Sequence, residues 1–322
     1  MAVYTEVDDD ELRAFLSDYD VGALLSFKGI AEGVENTNYL VHTEAGSYIL
    51  TLYERRVAPS DLPFFLGLME HLAAAGIACP TPIRTRSGKV LGDIAAKPAA
   101  LVSYLEGVWV RRPNPAHCRE IGAAMAGLHL AGADFALRRP NTLGPSSWPG
   151  LVRETASSAD TVAPGLGAEV ATTLDELTRA WPSGLPTGVI HADLFPDNVF
   201  FIDGRISGLI DFYFACNDAL AYDIAICLNA WCFEPDAAFN ITKARQLLKA
   251  YEGVRPLAGG EFEALPLLAR GAALRFLLTR LYDWINTPGS ALVKPKDPGE
   301  YLRKLRFHRA VSSASEYGLD AR

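Results

Sequence analysis

Apolar residues follow two spacings along this chain, and the change from one to the other divides it. In the first hundred residues short alternating runs prevail: 24–30, 39–43 and 47–53 read as strands, the last two joined around Glu44-Ala-Gly46. Two helical runs interrupt them. Leu12, Phe15, Leu16 and Tyr19 follow an acidic cluster suited to a helix N-terminus. Phe64, Phe65, Leu68, Met69 and Leu72 share one face of a helix over 61–75, with Gly76 placed to end it. Pro80 and Pro82 lead into a hairpin expected around Ser87-Gly88, and 98–107 is a short apolar strand closed by Gly107. Past Arg111–Pro115 the spacing turns helical. Ile121, Ala124, Met125 and Leu128 mark a helix over 117–131. After a punctuated loop at 138–148, further helices are expected over 169–181, 240–252, 260–286 and 298–317, with one opened by Asp223 and carrying Ile224, Cys227, Leu228 and Trp231. The pattern predicts an α+β chain: a small, mainly β N-terminal lobe (1–103) and a larger, mainly helical C-terminal lobe (104–322).

Composition narrows the function classes. At 322 residues, 49% hydrophobic and 21% charged, the chain can bury a large core. A net charge of −8 provides no electrostatic footprint for nucleic acid, so no nucleic-acid partner is expected. The five cysteines lack metal-type pairing and read as reduced core thiols. The N-terminus is acidic where a secretion signal would be basic, and no apolar run is long enough to span a membrane. A cytoplasmic protein without a membrane partner is expected. Oligomeric state is left open.

The chemistry concentrates in residues 189–212, VIHADLFPDNVFFIDGRISGLIDF. Asp203-Gly204 between two apolar runs is a hairpin turn, because both central positions need positive φ. Its register sets Asn198 opposite Leu209, two residues short of Asp211. Two strand residues span roughly 7 Å, so Asn198 and Asp211 can reach one small object, with Asp193 in the loop just before. An Asn carbonyl and an Asp carboxylate are hard oxygen ligands for the Mg²⁺ of a nucleotide. Asp193 suits the orientation and deprotonation of an acceptor hydroxyl. The strand–turn–strand containing Gly29, Gly33 and Asn36 suits a flap over phosphates, where glycine lets backbone approach closely.

His191-x-Asp193-x-x-x-x-Asn198, followed by Asp211-Phe212 on a hairpin, resembles the catalytic loop and metal aspartate of protein-kinase-like enzymes. His-Ala-Asp in place of His-Arg-Asp resembles the aminoglycoside and choline kinase branch. Across both lobes, GVENTNY (33–39), SYILTLYERR (47–56), RRPNTLGPSSW (138–148), HADLFPDNVFF (191–201), LIDFYFACND (209–218) and AYDIAICLNAWCFE (221–234) resemble the homoserine kinases built on that fold. The resemblance implies a bilobal kinase-like fold, ATP and Mg²⁺, and phosphorylation of L-homoserine in threonine biosynthesis. It implies Asp193 as the base, His191 as a loop support, and Asp223 as a brace beneath the loop. Adenine is expected along the main chain from Ser103 to Leu105, and Glu70 stands where kinases pair a glutamate with the phosphate-binding cation.

One departure stands out. The third strand carries Thr51 or a neighbour where kinases carry a lysine, leaving Arg55 or Arg56 as phosphate cations. A zwitterionic acceptor needs a cation for its carboxylate and an acid for its ammonium. Arg138, Arg139, Arg275 and Arg280 are candidates for the first; Asp197, Asp218 and Asp283 for the second. The aromatics Tyr213, Phe214, Tyr222, Trp231, Phe233, Tyr282 and Trp284 also fit a quaternary amine. Choline therefore remains as an acceptor, with methylthioribose or an aminoglycoside as further alternatives, and a non-catalytic nucleotide-binding module remains as a different class.

Overall fold

The computed structural model describes residues 5–30, 36–54, 57–287 and 294–320. They fall into two compact units, Met1–Gly107 with Ser207–Tyr213, and Val108–Ile206 with Phe214–Arg322. The first unit opens with α1 (Asp9–Leu16), held by a capping box in which the Asp8 side chain takes the Glu11 N–H and Glu11 reaches back. Strands β1 (Leu24–Gly29), β2 (Thr37–Thr43) and β3 (Gly46–Leu52) follow, then α2 (Leu62–Ala74), β4 (Gly92–Ile94) and β5 (Lys97–Ser103). They make one antiparallel sheet in the order β1-β2-β3-β5-β4. Alternation along β2 buries Thr37, Tyr39, Val41 and Thr43. Tyr39 and Val41 join Leu50, Leu52 and Leu101 against Leu12, Phe15 and Leu16 of α1.

The second unit contains β6 (Val108–Trp109), α3 (Pro115–Ala131), α4 (Trp148–Thr155), α5 (Leu166–Ala180), β7 (Thr187–Ile190), β8 (Val199–Ile202) and the start of β9 (Arg205–Leu209). It continues through β10 (Cys216–Ala219), α6 (Leu220–Trp231), α7 (Ile241–Val254), α8 (Gly259–Asn286) and α9 (Pro298–Ala310). β7 pairs antiparallel with β10, and β6 with β8. α6 is buried on nearly every face, so it forms the centre of the helical packing. The five cysteines are buried and unpaired. No helix among the described residues is long and apolar enough to cross a membrane.

Several elements differ from expectation. At 85–89 there is a turn, with Gly88 at φ 84°, but no strands flank it. The hairpin lies further on, between β4 and β5, and turns on Ala95 and Ala96 at φ 50° and 56°. The helix expected over 298–317 stops at Ala310. Ser313 then caps a separate 3₁₀ turn, Ala314–Tyr317, with Glu316 reaching back.

Helices α3 and α7 approach at Gly122, where an added Cβ would overlap the backbone carbonyl of Leu247. Alanine favours a helix interior by about 1 kcal/mol, but here it must displace a neighbouring backbone. Gly122→Ala is therefore expected to destabilise the chain by about 1–3 kcal/mol. Urea denaturation reads this directly, and a gain in stability would show that the two helices are not in contact at that point.

His308 is fully buried between α6 and the 3₁₀ turn. Asn229 Nδ2 donates to the carbonyls of Ala225 and Ala269, so its Oδ1 must accept from His308 Nε2 at 3.2 Å. His308 Nδ1 therefore accepts from the Tyr317 hydroxyl at 2.7 Å. Burial, then the charges of Lys304 and Arg270, push its pKa down from 6.5 to about 3. A histidine held neutral stabilises the fold above its unfolded pKa and loses that contribution as pH falls through 6.5 toward 3, at up to about 1.4 kcal/mol per pH unit. The melting temperature is expected to fall between pH 6.5 and 5, and His308→Gln to flatten that fall. A wild-type curve flat across this window would contradict the assignment.

Candidate active site

The loop after β7 is gripped by its backbone. Asp223, fully buried in the first turn of α6, accepts the His191 N–H on Oδ2 and the Ala192 N–H on Oδ1, both at 2.9 Å. His129 Nε2 donates to the same Oδ2 at 3.1 Å, and His129 Nδ1 accepts from the Tyr251 hydroxyl at 2.8 Å. Tyr251 in turn accepts from Arg255, which is paired with buried Glu261. Burial opposes ionisation of Asp223. Its hydrogen bond to His129 and its bond from the His191 N–H outweigh that, so its pKa stays below the ordinary carboxylate value.

From the other side Arg275 of α8 donates to the Ala192 carbonyl at 2.6 Å, and the Trp231 indole to the Leu194 carbonyl at 2.7 Å. Ala192 sits at φ 62°. That left-handed conformation is costly for a residue with a Cβ, by roughly 1–2 kcal/mol, and the three anchors hold it there.

This grip presents Asp193, half-buried, with its N–H donating to His191 Nδ1 at 3.3 Å. A 3₁₀ turn, Pro196–Asn198, brings Asn198 back to it. Asn198 Nδ2 donates to the Asp193 carbonyl at 2.8 Å and to its carboxylate at 3.2 Å. With the amide nitrogen so committed, Asn198 Oδ1 is left to act as an oxygen ligand. Phe195 packs edge-on to Phe276 at 4.9 Å and fixes the loop's outer side.

Asp211 belongs to the first unit and also adopts a left-handed backbone, φ 65°. It is followed by fully buried Phe212, and by Tyr213, whose ring meets those of Tyr53 and Phe65 at 5.4 and 5.7 Å. Tyr213 shares a hydrogen bond with the Tyr53 hydroxyl at 3.3 Å, and burial pushes its pKa up to about 12. Thr51, the position expected to match the kinase lysine, is buried and donates to Asn38 at 2.8 Å. A lysine does occur nearby in the fold: Lys97 of β5 is 2.6 Å from Glu54, which also takes the Thr5 and Thr37 hydroxyls.

The remaining candidates are scattered. Gly29 ends β1 opposite Tyr39, and Asn36 spends its side-chain oxygen on the Glu54 N–H at 3.2 Å. The Ser103 hydroxyl accepts from the Thr81 N–H, and Leu105 packs on Gly208. Gly33, Arg55 and Arg56 lie outside the described residues. Glu70 pairs with Arg84 at 2.8 Å. Arg138 is exposed. Arg139 and Asp218 bind separate partners around β10: Arg139 donates to the Ala215 carbonyl, and Asp218 takes the Asn141 amide at 2.7 Å. Arg280 is bound by Glu300, whose carboxyl is raised by burial but brought to about 2 by Lys304 and Arg280. Asp197 faces Lys296 at 3.6 Å, and the Asp283 carbonyl caps α8 by accepting the Thr287 N–H. His129, on the helix that the sequence places over 117–131, is part of the loop's support. The only trace of that in the sequence is its place at the end of an apolar helix.

A model of the phosphotransferase enzyme family matches residues 26–257, a span that takes in Asp193, Asn198, Asp211 and Asp223. The chain belongs to this family. Within it, the chain is 66% identical over 321 residues to a homoserine kinase of Parvibaculum lavamentivorans and 65% over 321 residues to one of Xanthobacter autotrophicus. It is 61% identical over 319 residues to a homoserine kinase of Rhizobium johnstonii, and each alignment covers at least 99% of both chains. Among solved structures, this phosphotransferase resembles an amicoumacin kinase determined with AMP-PNP and Ca²⁺ (TM-score 0.70, 18% identity, 94% of this chain and 92% of that one). It also resembles a spectinomycin phosphotransferase (TM-score 0.67, 14% identity, 97% of each chain). These likenesses establish the protein-kinase-like fold, with a β-sheet N-terminal part and a helical C-terminal part.

Proposed function

We propose that the chain transfers the γ-phosphoryl group of ATP to the side-chain hydroxyl of L-homoserine, giving ADP and O-phospho-L-homoserine for threonine biosynthesis. Identity of 61–66% along the whole chain to relatives named homoserine kinase carries this reading. Asp193, locked in place by its neighbours, accepts the hydroxyl proton as the oxygen attacks, and Asn198 and Asp211 are the metal ligands. A carbonyl and a carboxylate are the oxygen donors Mg²⁺ prefers, and Asn198 Oδ1, whose amide nitrogen is committed to Asp193, fits that role. Among the described residues no three His, Cys, Asp or Glu cluster to hold a metal; Asn198 and Asp211 would supply two oxygen ligands to it. Bound there, Mg²⁺ would neutralise charge on the phosphates; the protein's part is to fix the acceptor oxygen in line with them. His191 shapes the loop by accepting the Asp193 N–H. Gly29, Gly33 and Asn36 cover the phosphates, Arg55 is their cation, and Ser103 and Leu105 line the adenine. Such a reaction belongs in the cytoplasm, where ATP is available.

The test is ADP release from Mg-ATP with L-homoserine, L-serine, L-threonine, choline, methylthioribose and an aminoglycoside. Selective turnover of L-homoserine is the expected result. Turnover of a different alcohol in its place would overturn the acceptor while leaving the phosphoryl transfer.

A further inference from the structure

Arg275 lies inside the apolar stretch GAALRFLL of α8 and is only 2% exposed. Among the described residues no carboxylate lies within ion-pair distance of it, and the only hydrogen bond of its side chain is the one from Nη1 to the Ala192 carbonyl. Its guanidinium rests 4.3 Å from the Phe276 ring centre and 5.8 Å from that of Phe214. An arginine does not shed its proton, so it remains a buried cation without an ion-pair partner, which is costly to keep. Its Nε is buried without a partner. The Nη1 bond pins one end of the fork and leaves the Nε–Nη2 edge, the edge that a carboxylate grips with two parallel hydrogen bonds.

Two more buried donors lack partners in the same region: the Tyr222 hydroxyl and the Asn217 side-chain amide. The Arg275 charge is felt at both Tyr222 and Cys216, as is that of Asp218. The region therefore has a positive pole with unsatisfied donors and a negative pole, next to the residue that precedes Asp193.

We propose that Arg275 is the receptor for the carboxylate of the amino-acid substrate, with the Tyr222 hydroxyl as a further donor and Asp218 facing the ammonium. This inference rests on L-homoserine being the acceptor. It makes Arg275 a specificity residue: it selects amino acids over simple amino alcohols, and its bond to the Ala192 carbonyl ties carboxylate binding to the loop that carries Asp193.

3-Aminopropan-1-ol is L-homoserine without its carboxylate, so the pair of acceptors isolates the proposed contact. The measurement is kcat/KM for both acceptors in wild type, Arg275→Met, Arg275→Lys and Tyr222→Phe. Wild type is expected to favour L-homoserine strongly. Arg275→Met should cut that preference by about 10–100-fold, since hydrogen bonds to charged groups are the strong ones. Arg275→Lys keeps a charge without the fork and should fall between. Tyr222→Phe, which removes only an unpartnered hydroxyl, should raise KM for L-homoserine and not for the amino alcohol, and it serves if the arginine variants do not fold. Equal losses for both acceptors in the arginine variants, or an unchanged preference in Tyr222→Phe, would reduce Arg275 to a clamp on the loop and overturn the proposal. If wild type does not use L-homoserine at all, the acceptor assignment fails instead, and the two failures are separately visible.

Discussion

Asp193→Asn is expected to phosphorylate L-homoserine about 10²–10⁴ times more slowly than wild type, the range that a positioned general base contributes. The substitution keeps the shape of the side chain and its contact with Asn198, so ATP affinity, read by calorimetry, should change little. What it removes is the acceptor for the hydroxyl proton and the negative charge that orients the attacking oxygen. Turnover close to wild type would take Asp193 out of the mechanism. Weakened nucleotide binding with unchanged kcat would make it a ligand rather than a base.

Asp223→Ala acts without approaching the substrate. It strands the N–H groups of His191 and Ala192 and the Nε2–H of His129, all buried, at about 1–3 kcal/mol for each unsatisfied group. With that grip gone, only Arg275 and Trp231 oppose relaxation of Ala192 from φ 62°, and relaxing it swings Asp193 out of position. A misplacement of about 1 Å can cost 10²-fold in rate. We therefore expect kcat to fall by about 10²-fold or more and the urea midpoint to drop markedly. Asp223→Asn can accept one of the two loop N–H groups but turns an N–H₂ toward the other, so it should fall between. A near-normal kcat in the alanine variant would mean that Arg275 and Trp231 hold the loop unaided.

The sequence was most legible where the local chemistry decides the structure. Asp203-Gly204 predicted a turn needing two positive φ angles, and they are 49° and 77°. The helical stripes of α2, α3 and α8 were read within a few residues of their ends. The β4–β5 hairpin was missed because Ala95-Ala96 carries no turn signal; the sheet on either side imposes the left-handed pair. α4 was missed because Trp148-Pro-Gly150 reads as loop, although proline in the first turn is where a helix tolerates it. β10 is four residues, Cys-Asn-Asp-Ala, with no apolar alternation, and exists because β7 offers a partner edge.

The catalytic motif was visible as spacing, but its support was not. His129, Asp223 and the loop N–H groups lie far apart in the chain and meet only through packing. The buried charge of Arg275 is likewise unremarkable as one letter in an apolar helix. Its meaning comes from what surrounds it.

The central claim is the transfer of a phosphoryl group to the side-chain oxygen of L-homoserine, and the most direct test is the product itself. Purified protein with Mg-ATP and L-homoserine should give, by phosphorus NMR and mass spectrometry, a single new phosphomonoester on the side-chain oxygen, equal in amount to the ADP formed. ADP without that ester, or phosphate carried on a different group, would contradict the account.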